Sequence, residues 1–191
     1  MSGLWVFGYG SLVSSASFGF TLGRDVRPGI DYFEAEIAGY GRRWNYGVMH
    51  SVGASIDDDG TAREWTIVAL GVVPSADETT NGVVGWVDED ELIELDRRER
   101  HYDRVVVSDV ATVVGGRRLD GSIVTYVPRA DATACYTDAR QRGVAAVEQR
   151  YWNLVDGAFQ SLGDDQLARY HATTPDPDVP IVAMTRTPVR R

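Results

Sequence analysis

The sequence predicts an α+β protein: a small, mostly antiparallel β-barrel of about six or seven strands with flanking helices. Two observations lead to this fold class. Short runs of β-branched and aromatic residues recur along much of the 191-residue chain, with Gly-, Asn- and Asp-rich intervals between them. Helical periodicity is confined to two segments. A parallel βαβ array would place a helix after almost every strand, so an antiparallel sheet that curls into a barrel fits better.

Seven segments have the composition of strands. The first is a buried strand at the start of the chain, and the next two lie on either side of Gly39 and Gly41. The polar segment 74–82 and the segment 115–121 are expected to be turns, and residues 57–60 are expected to form a hairpin turn. The predicted strands are residues 4–9, 33–40, 44–49, 65–73, 83–87, 104–114 and 122–127.

Two helices are expected. The first begins at Asp88, which forms a capping box with Glu91. The second occupies much of residues 132–162, where Val144, Tyr151 and Phe159 recur at helical spacing. We expect one domain over residues 1–173. Residues 174–191 hold four of the seven prolines and are expected to form an extended C-terminal tail without a helix.

Composition excludes several classes of function. The formal net charge is -9, whereas a nucleic-acid-binding protein needs a basic footprint. No apolar run reaches the roughly 18 residues of a membrane span. The three histidines are far apart in sequence and lack metal-ligand spacing, so no metal and no cofactor are expected. A single cysteine and no secretory signal favour a cytoplasmic protein, and its oligomeric state stays open.

The first helix places a carboxylate on its apolar face. At about 100° per residue, Leu92, Leu95 and Glu99 share one side of the helix, whereas Arg98 falls elsewhere, toward solvent. Burial favours the neutral carboxyl group and raises its pKa, which suits a general acid or base working near neutral pH. The alternative is a partly exposed Glu99 that forms an ion pair with Arg43 or Arg104.

The N-terminal sequence "VFGYGSL" ends a strand in a glycine-rich turn. It lacks the third glycine of a dinucleotide fingerprint, and Ser11 lacks the flanking glycines of a nucleophile elbow. Glycine permits positive φ, so successive amides could converge on a carboxylate, with Ser11 adding a hydroxyl group. A simple turn at the end of the strand is the alternative.

Several segments together resemble the γ-glutamylcyclotransferase-like family. They are "VFGYGSL", "AEIAGYGRRW", "GVVGWVDEDELIELDRRERHYDRVVV" and "IVTYVPR" followed by "CY", in the family's order over about residues 4–136. The resemblance implies a β-barrel enzyme that releases 5-oxoproline and a free amine from a γ-glutamyl amide. In that reaction the substrate's own α-amino group attacks its γ-carbonyl, which gains mainly from positioning.

The resemblance also implies roles for particular residues. Glu99 matches the family's catalytic acid and base, and the turn matches the loop whose amides hold the glutamyl α-carboxylate. Arg100 and His101 stand where the family often has small residues, near the pocket for the leaving amine. The expected substrate-binding residues are Tyr9, Gly10, Ser11, Leu12, Arg43, Tyr102, Tyr126 and Tyr136.

Three functions stay open at this point. The first is a γ-glutamyl cyclotransferase that acts on glutathione, a γ-glutamyl amino acid or a γ-glutamyl amine. The second is a non-catalytic protein that binds small molecules on the same barrel. The third is an enzyme that removes a γ-glutamyl protecting group from a biosynthetic intermediate.

Overall fold

The computed structural model describes residues 3–189. The four remaining residues, at the ends of the predicted domain and tail, lie outside the described part. The strands are β1 (Gly3–Gly8), β2 (Tyr32–Ile56), β3 (Ala62–Asp88), β4 (Tyr102–Val106), β5 (Ala111–Val113), β6 (Ile123–Pro128), β7 (Ala145–Glu148), β8 (Ile181–Val182) and β9 (Thr185–Pro188). The helices are α1 (Ser15–Leu22), α2 (Glu89–Arg98), α3 (Ala130–Gln141), α4 (Gln149–Ser161) and α5 (Asp164–Thr173).

The predicted α+β class and the mostly antiparallel sheet are confirmed. The strands pair in the order β4-β6-β1-β3-β2-β5. In addition, β7 pairs with β3, β8 pairs with β7, and β9 pairs with β2. The β1–β6, β3–β7 and β7–β8 pairings are parallel. Within residues 3–189 no pairing joins β4 to β5, so the closed barrel is not confirmed.

A long hairpin of β2 and β3 forms most of the sheet. The hairpin turn predicted at residues 57–60 is confirmed, and it joins Ile56 to its partner Ala62. The breaks predicted at Gly39–Gly41 and at residues 74–82 are wrong, because both strands continue through them. The register shifts between Ala38 and Tyr40, where Gly39 has a φ of 77°. A β-bulge therefore absorbs the turn-forming residues without ending the strands.

The helices differ from the prediction in three places. The helices α1 and α5 were missed, and the single helix predicted within residues 132–162 is wrong. That segment divides into α3, β7 and α4. Gly143 has a φ of 70° just after α3, a conformation that favours glycine and ends the helix. The buried residues Ala145 to Val147 then pair with β3, and this tertiary pairing overrides helical periodicity.

The C-terminal segment contributes two short strands that pair with the sheet. β8 lies beside β7, and β9 pairs with residues 51–54 of β2. Residues on β9 consequently stand near the start of α4, where Arg186 forms an ion pair with Glu148. No helix within residues 3–189 is long and apolar enough to cross a membrane.

Candidate active site

A small cleft lies where β1 ends. After Gly8 the chain turns into a short 3₁₀ segment at Ser11–Val13, and the amide of Val13 donates to the carbonyl of Gly10. Amides at the start of such a segment have no acceptor within it, so they are available to an anion. The cleft is lined by Phe7, Gly8, Tyr9, Gly10, Ser11, Leu12, Leu70, Glu99, Tyr102, Tyr126 and Tyr151.

The glycines of the turn provide space. Positive φ was expected to explain them, and this is wrong, because Gly10 has a φ of -129° and Gly8 is not a positive-φ glycine either. A Cβ atom on Gly8 would lie 2.6 Å from the Cβ of Leu12. A Cβ atom on Gly10 would lie 3.0 Å from the Tyr151 hydroxyl oxygen. The absence of side chains therefore lets α4 and the 3₁₀ segment approach the strand closely.

Glu99 reaches the cleft from the end of α2. The predicted capping box of Asp88 and Glu91 is present at the other end of that helix. Leu95 is fully buried, and the Glu99 side chain on the same face is 14% exposed. Burial raises the pKa of Glu99, and the neighbouring guanidinium of Arg98 partly opposes that rise in pKa.

Arg98 is a site residue that the sequence did not identify, since helical periodicity placed it toward solvent. Its Nε atom lies 3.0 Å from Glu99 Oε1. One terminal nitrogen donates to Ser11 Oγ at 2.8 Å, and the other donates to Thr21 on α1. Arg98 thus joins the carboxylate of α2 to the turn after β1, and it fixes the distance between them.

The alternative, in which Glu99 pairs with Arg43 or Arg104, does not hold, because both arginines have other partners. Arg43 forms an ion pair with Glu78, and Arg104 lies 2.6 Å from Asp96. Arg43 is therefore separate from the cleft, although it was expected to bind substrate. The hydroxyl group of Tyr136 donates to Asp178 at 2.6 Å, and Tyr136 is also absent from the cleft lining.

Four tyrosines line the cleft together with Glu99. Tyr9 donates to the carbonyl of Tyr126 at 2.6 Å, and Tyr126 donates to Asp96 at 2.8 Å. Tyr102 donates to the carbonyl of Leu70 at 3.1 Å. These hydrogen bonds hold three of the tyrosine rings around the cleft, so their hydroxyl protons are already directed to protein acceptors.

Tyr151 differs from the other three tyrosines. Its hydroxyl oxygen accepts a hydrogen bond from the amide of Leu70 at 3.4 Å, and within residues 3–189 the hydroxyl proton goes to no acceptor. Burial raises its pKa to about 12, and the charge of Glu99 adds to the rise. Tyr151 is therefore neutral near pH 7 and has a proton to donate into the cleft. The sequence placed it in a helical stripe of core residues and missed this role.

The described residues include no group of three or more His, Cys, Asp or Glu side chains that could hold a metal ion.

Comparison with known proteins identifies the fold. The sequence matches no family model and no curated protein. Solved structures do match. A structure entitled "Gamma-glutamyl cyclotransferase" aligns with a TM-score of 0.56 at 14% identity, over 92% of this chain and 90% of that one. The chain has the γ-glutamyl cyclotransferase fold.

Two further structures share this fold. An uncharacterized protein from Homo sapiens aligns with a TM-score of 0.57 at 14% identity, over 92% of this chain and 90% of that one. YkqA from Bacillus subtilis aligns with a TM-score of 0.58 at 18% identity, over 90% of this chain and 54% of that one. At these identities the similarity establishes the γ-glutamyl cyclotransferase fold, and the chemistry must be argued from the site.

Within the γ-glutamyl cyclotransferase fold, this site combines two opposite electrostatic features. The amides at the start of the 3₁₀ segment after β1 have no acceptor within that segment, and such amides suit a carboxylate. Glu99 lies on the same cleft and has a raised pKa, so it exchanges a proton more readily near neutral pH than an ordinary Glu does. The arrangement can hold an anionic end of a small molecule while a proton is moved at its other end.

Proposed function

We propose that the protein is a γ-glutamyl cyclotransferase. The observation that carries the proposal is that the Glu99 side chain, which is 14% exposed, shares one small cleft with residues 9–12 of the turn after β1. The substrate is a γ-glutamyl amide, and the products are 5-oxoproline and a free amine. This reaction needs a site for a carboxylate, a base and an acid, and one carboxyl group of raised pKa supplies both of the last two.

The turn after β1 holds the glutamyl α-carboxylate. The amides of Tyr9, Gly10, Ser11 and Leu12 are the proposed donors. Ser11 Oγ already accepts a hydrogen bond from Arg98, so its own hydroxyl proton is free to donate to the carboxylate. Arg98 also contributes positive charge close to this end of the substrate.

Glu99 takes up one proton and returns it. It first removes a proton from the substrate ammonium, and the free amine then attacks the γ-carbonyl carbon to close the five-membered ring. A new C–N bond forms, the ring nitrogen becomes positively charged, and the carbonyl oxygen takes the negative charge. When that charge collapses back to the carbonyl, the original C–N bond breaks and Glu99 gives its proton to the departing amine. The ring nitrogen then releases its remaining extra proton to solvent, which leaves the neutral amide nitrogen of 5-oxoproline and the free amine. Holding the reacting atoms close together supplies much of the rate in such an intramolecular attack.

Tyr151 is the proposed donor to the developing oxyanion. Its proton is not used by a described protein group, and its pKa of about 12 keeps it protonated at neutral pH. Loss of one such donor costs about 10²–10³-fold in kcat in a well-studied hydrolase. Tyr102 and Tyr126 hold the walls of the cleft through their hydrogen bonds.

The experiment is an assay for 5-oxoproline. The protein is incubated with a panel of γ-glutamyl amino acids, γ-glutamyl amines, glutathione and γ-glutamyl-protected intermediates. Stoichiometric release of 5-oxoproline and the free amine from a panel member supports the proposal. Binding of these compounds without turnover supports the non-catalytic alternative. Release of glutamate in place of 5-oxoproline would rule out the intramolecular reaction.

A further inference from the structure

A fully buried arginine lies behind the cleft that holds Glu99. Arg42, on β2, is 0% exposed. Its guanidinium group donates to the carbonyl and side-chain oxygens of Asn81 and, at 2.8 Å, to the hydroxyl oxygen of Thr174. Its Nε atom has no hydrogen-bond partner in the described part of the chain. The core therefore contains a cation whose hydrogen-bonding capacity is incompletely used.

The surroundings of Arg42 carry no opposite charge. Its Cζ atom lies 5.0 Å from the ring centres of Phe159 and Tyr170, which stack on each other. Arg42 forms no ion pair with any of residues 3–189. Burial lowers the pKa of Arg42 to about 10, so the group still carries its charge near pH 7. Packing alone does not explain a cation here, because an apolar side chain would avoid the cost of burying an uncompensated charge.

On one side, Arg42 lies against the end of β1. Its hydrogen-bond partner Asn81 precedes Gly82, and a Cβ atom on Gly82 would clash with the carbonyl oxygen of Gly8. Gly8 and Tyr9 both line the cleft. Burial raises the pKa of Tyr9, and the positive charge of Arg42 partly opposes that rise in pKa. The charge of Arg42 therefore acts on the wall of the cleft.

On the other side, α4 connects Arg42 with the proposed oxyanion donor. Phe159, which packs against the guanidinium group, follows Tyr151 by eight residues on α4, and this spacing spans about 12 Å along a helix. At that distance, with an effective dielectric constant of about 20, one unit charge changes the binding of another by about tenfold. Arg42 can therefore act on an anion in the cleft without touching it.

The charges within the cleft leave the charge of Arg42 unopposed. Among the described residues that line the cleft, Glu99 carries the one carboxyl group, and its Oε1 atom lies 3.0 Å from Arg98 Nε. The charges of Glu99 and Arg98 offset each other. An anion that enters the cleft consequently supplies the counter-charge that Arg42 lacks.

We propose that Arg42 is a positioning residue whose buried positive charge favours negative charge in the cleft. The inference rests on the proposed function and adds to it a residue from outside the cleft. The turn after β1 and Tyr151 make the contacts with the substrate, and Arg42 makes the electrostatic potential at those contacts more positive. The competing explanation is a purely structural Arg42 that joins Asn81 to Thr174.

The test measures the binding of two ligands that differ only in charge. They are 5-oxoproline, which carries a carboxylate, and its neutral carboxamide, and calorimetry gives Kd for each. We expect the wild type to prefer the acid. Arg42→Gln removes the charge but keeps an amide that can form hydrogen bonds, and it should lower the preference for the acid by about tenfold. Arg42→Lys keeps the charge and should keep most of the preference.

The matched control removes an exposed arginine. Arg169→Met changes the net charge by the same amount, and Arg169 lies on α5 beside Tyr170, is 44% exposed and pairs with Glu36. The ratio of the two Kd values should stay at its wild-type value in this variant, because water and salt screen an exposed charge. Thermal melts of all variants report folding.

The outcomes separate the charge of Arg42 from its structural contacts. Equal ratios in folded Arg42→Gln and Arg42→Lys proteins would overturn the inference, as would a wild type that binds the acid and the carboxamide equally well. If Arg42→Gln does not fold, Arg42→Met serves as the neutral variant. Unfolding of both neutral variants would show that Arg42 is structural and would also overturn the inference.

Failure of the proposed function gives a different result. A loss of preference in Arg42→Gln, in a protein that releases no 5-oxoproline from any γ-glutamyl amide, would overturn the cyclotransferase proposal and support Arg42 as a determinant of anion binding. Release of 5-oxoproline with an unchanged ratio in Arg42→Gln would overturn the inference and leave the cyclotransferase proposal standing.

Discussion

Substitution of Glu99 by Gln separates catalysis from structure at this site. The Glu99 side chain is 14% exposed and contacts Arg98, so it lies inside the protein beside the proposed substrate position. Gln has nearly the same shape but cannot accept and return a proton. Since α2, the turn after β1 and Tyr151 are all retained, the substrate should still bind while proton transfer is lost.

The expected loss of activity is about 10²–10⁴-fold in kcat, the usual contribution of general acid–base catalysis. KM should change little, because Glu99 is proposed to act at the amine and the leaving group and not at the α-carboxylate. Residual activity should remain, because positioning of the amine against the γ-carbonyl does not depend on the carboxyl group.

The expected change in stability is small and depends on pH. The Gln variant loses the Glu99–Arg98 ion pair, but Arg98 keeps its bonds to Ser11 and Thr21. It also avoids the cost of burying a charged carboxylate. Because these two effects oppose each other, the free energy of unfolding should change by no more than about 1 kcal/mol. For a domain of this size, that corresponds to a change of about 2–4 °C in Tm.

The sign of the pH dependence follows from the raised pKa of Glu99. A group whose pKa is higher in the folded state stabilises the fold below its unfolded value, ordinarily about 4.3. That contribution is lost as the pH rises through the folded pKa. The stability of the wild type relative to Glu99→Gln should therefore fall with increasing pH across this window, as measured by denaturant unfolding.

The assay is 5-oxoproline release under saturating substrate, with thermal melts of both proteins. Glu94→Gln is the matched control, because Glu94 lies on the same helix, is 48% exposed and pairs with Arg97. The control should keep wild-type kcat. A folded Glu99→Gln protein with near-normal kcat would refute the catalytic assignment, and a variant that unfolds would indicate that Glu99 is mainly structural.

Three further predictions test the rest of the site. Gly10→Val should raise KM and also lower kcat, because a larger side chain fills the cleft and a Cβ there lies 3.0 Å from the hydroxyl oxygen of Tyr151, the proposed oxyanion donor; a substrate with an α-carboxamide should be a poor substrate of the wild type. Equal affinity for the acid and amide forms in calorimetry would contradict the anion-binding role of the turn. The acid limb of kcat/KM should lie above about 4.3, and isotope-edited infrared titration of the Glu99 carboxyl band should give a midpoint raised in the same direction. A midpoint at or below the ordinary value would mean that burial does not control this group. Arg98→Met should lower kcat/KM by roughly tenfold or more, as loss of a hydrogen bond from a charged group implies, and should move the infrared midpoint of Glu99 upward. Arg97→Met is its control, and an unchanged midpoint would exclude Arg98 as a regulator of the Glu99 pKa.

The sequence predicted those parts of the site that depend on local patterns. The capping box at Asp88 fixes the start of α2, and helical periodicity then places Glu99 on the face of Leu95. Both inferences need only the spacing of residues within one helix. The hairpin turn at residues 57–60 is local in the same way, and it too was predicted.

The parts that the sequence missed depend on contacts between distant segments. The four residues of β7 lie within a longer stretch whose apolar spacing predicts a helix. They form a strand because they pair with β3. Tyr151 has the spacing of a core residue, because periodicity identifies a buried face and does not show what that face packs against. Arg186 lies on a proline-rich segment that has no strand signal, and its ion pair with Glu148 depends on the pairing of β9 with β2.

The helix α1 connects the missed elements with the missed residue Arg98. The helical periodicity of α2 predicts that Arg98 faces solvent. That prediction would be correct if no other element packed against this side of α2. Instead α1 covers that side, and its residue Thr21 and the carbonyl of Ser17 accept hydrogen bonds from Arg98. Arg98 is thereby held against Glu99 and Ser11, where it limits the rise in the Glu99 pKa. The helix α1 has no strong sequence pattern of its own, yet it influences the pKa of Glu99, because it determines where the guanidinium group of Arg98 lies.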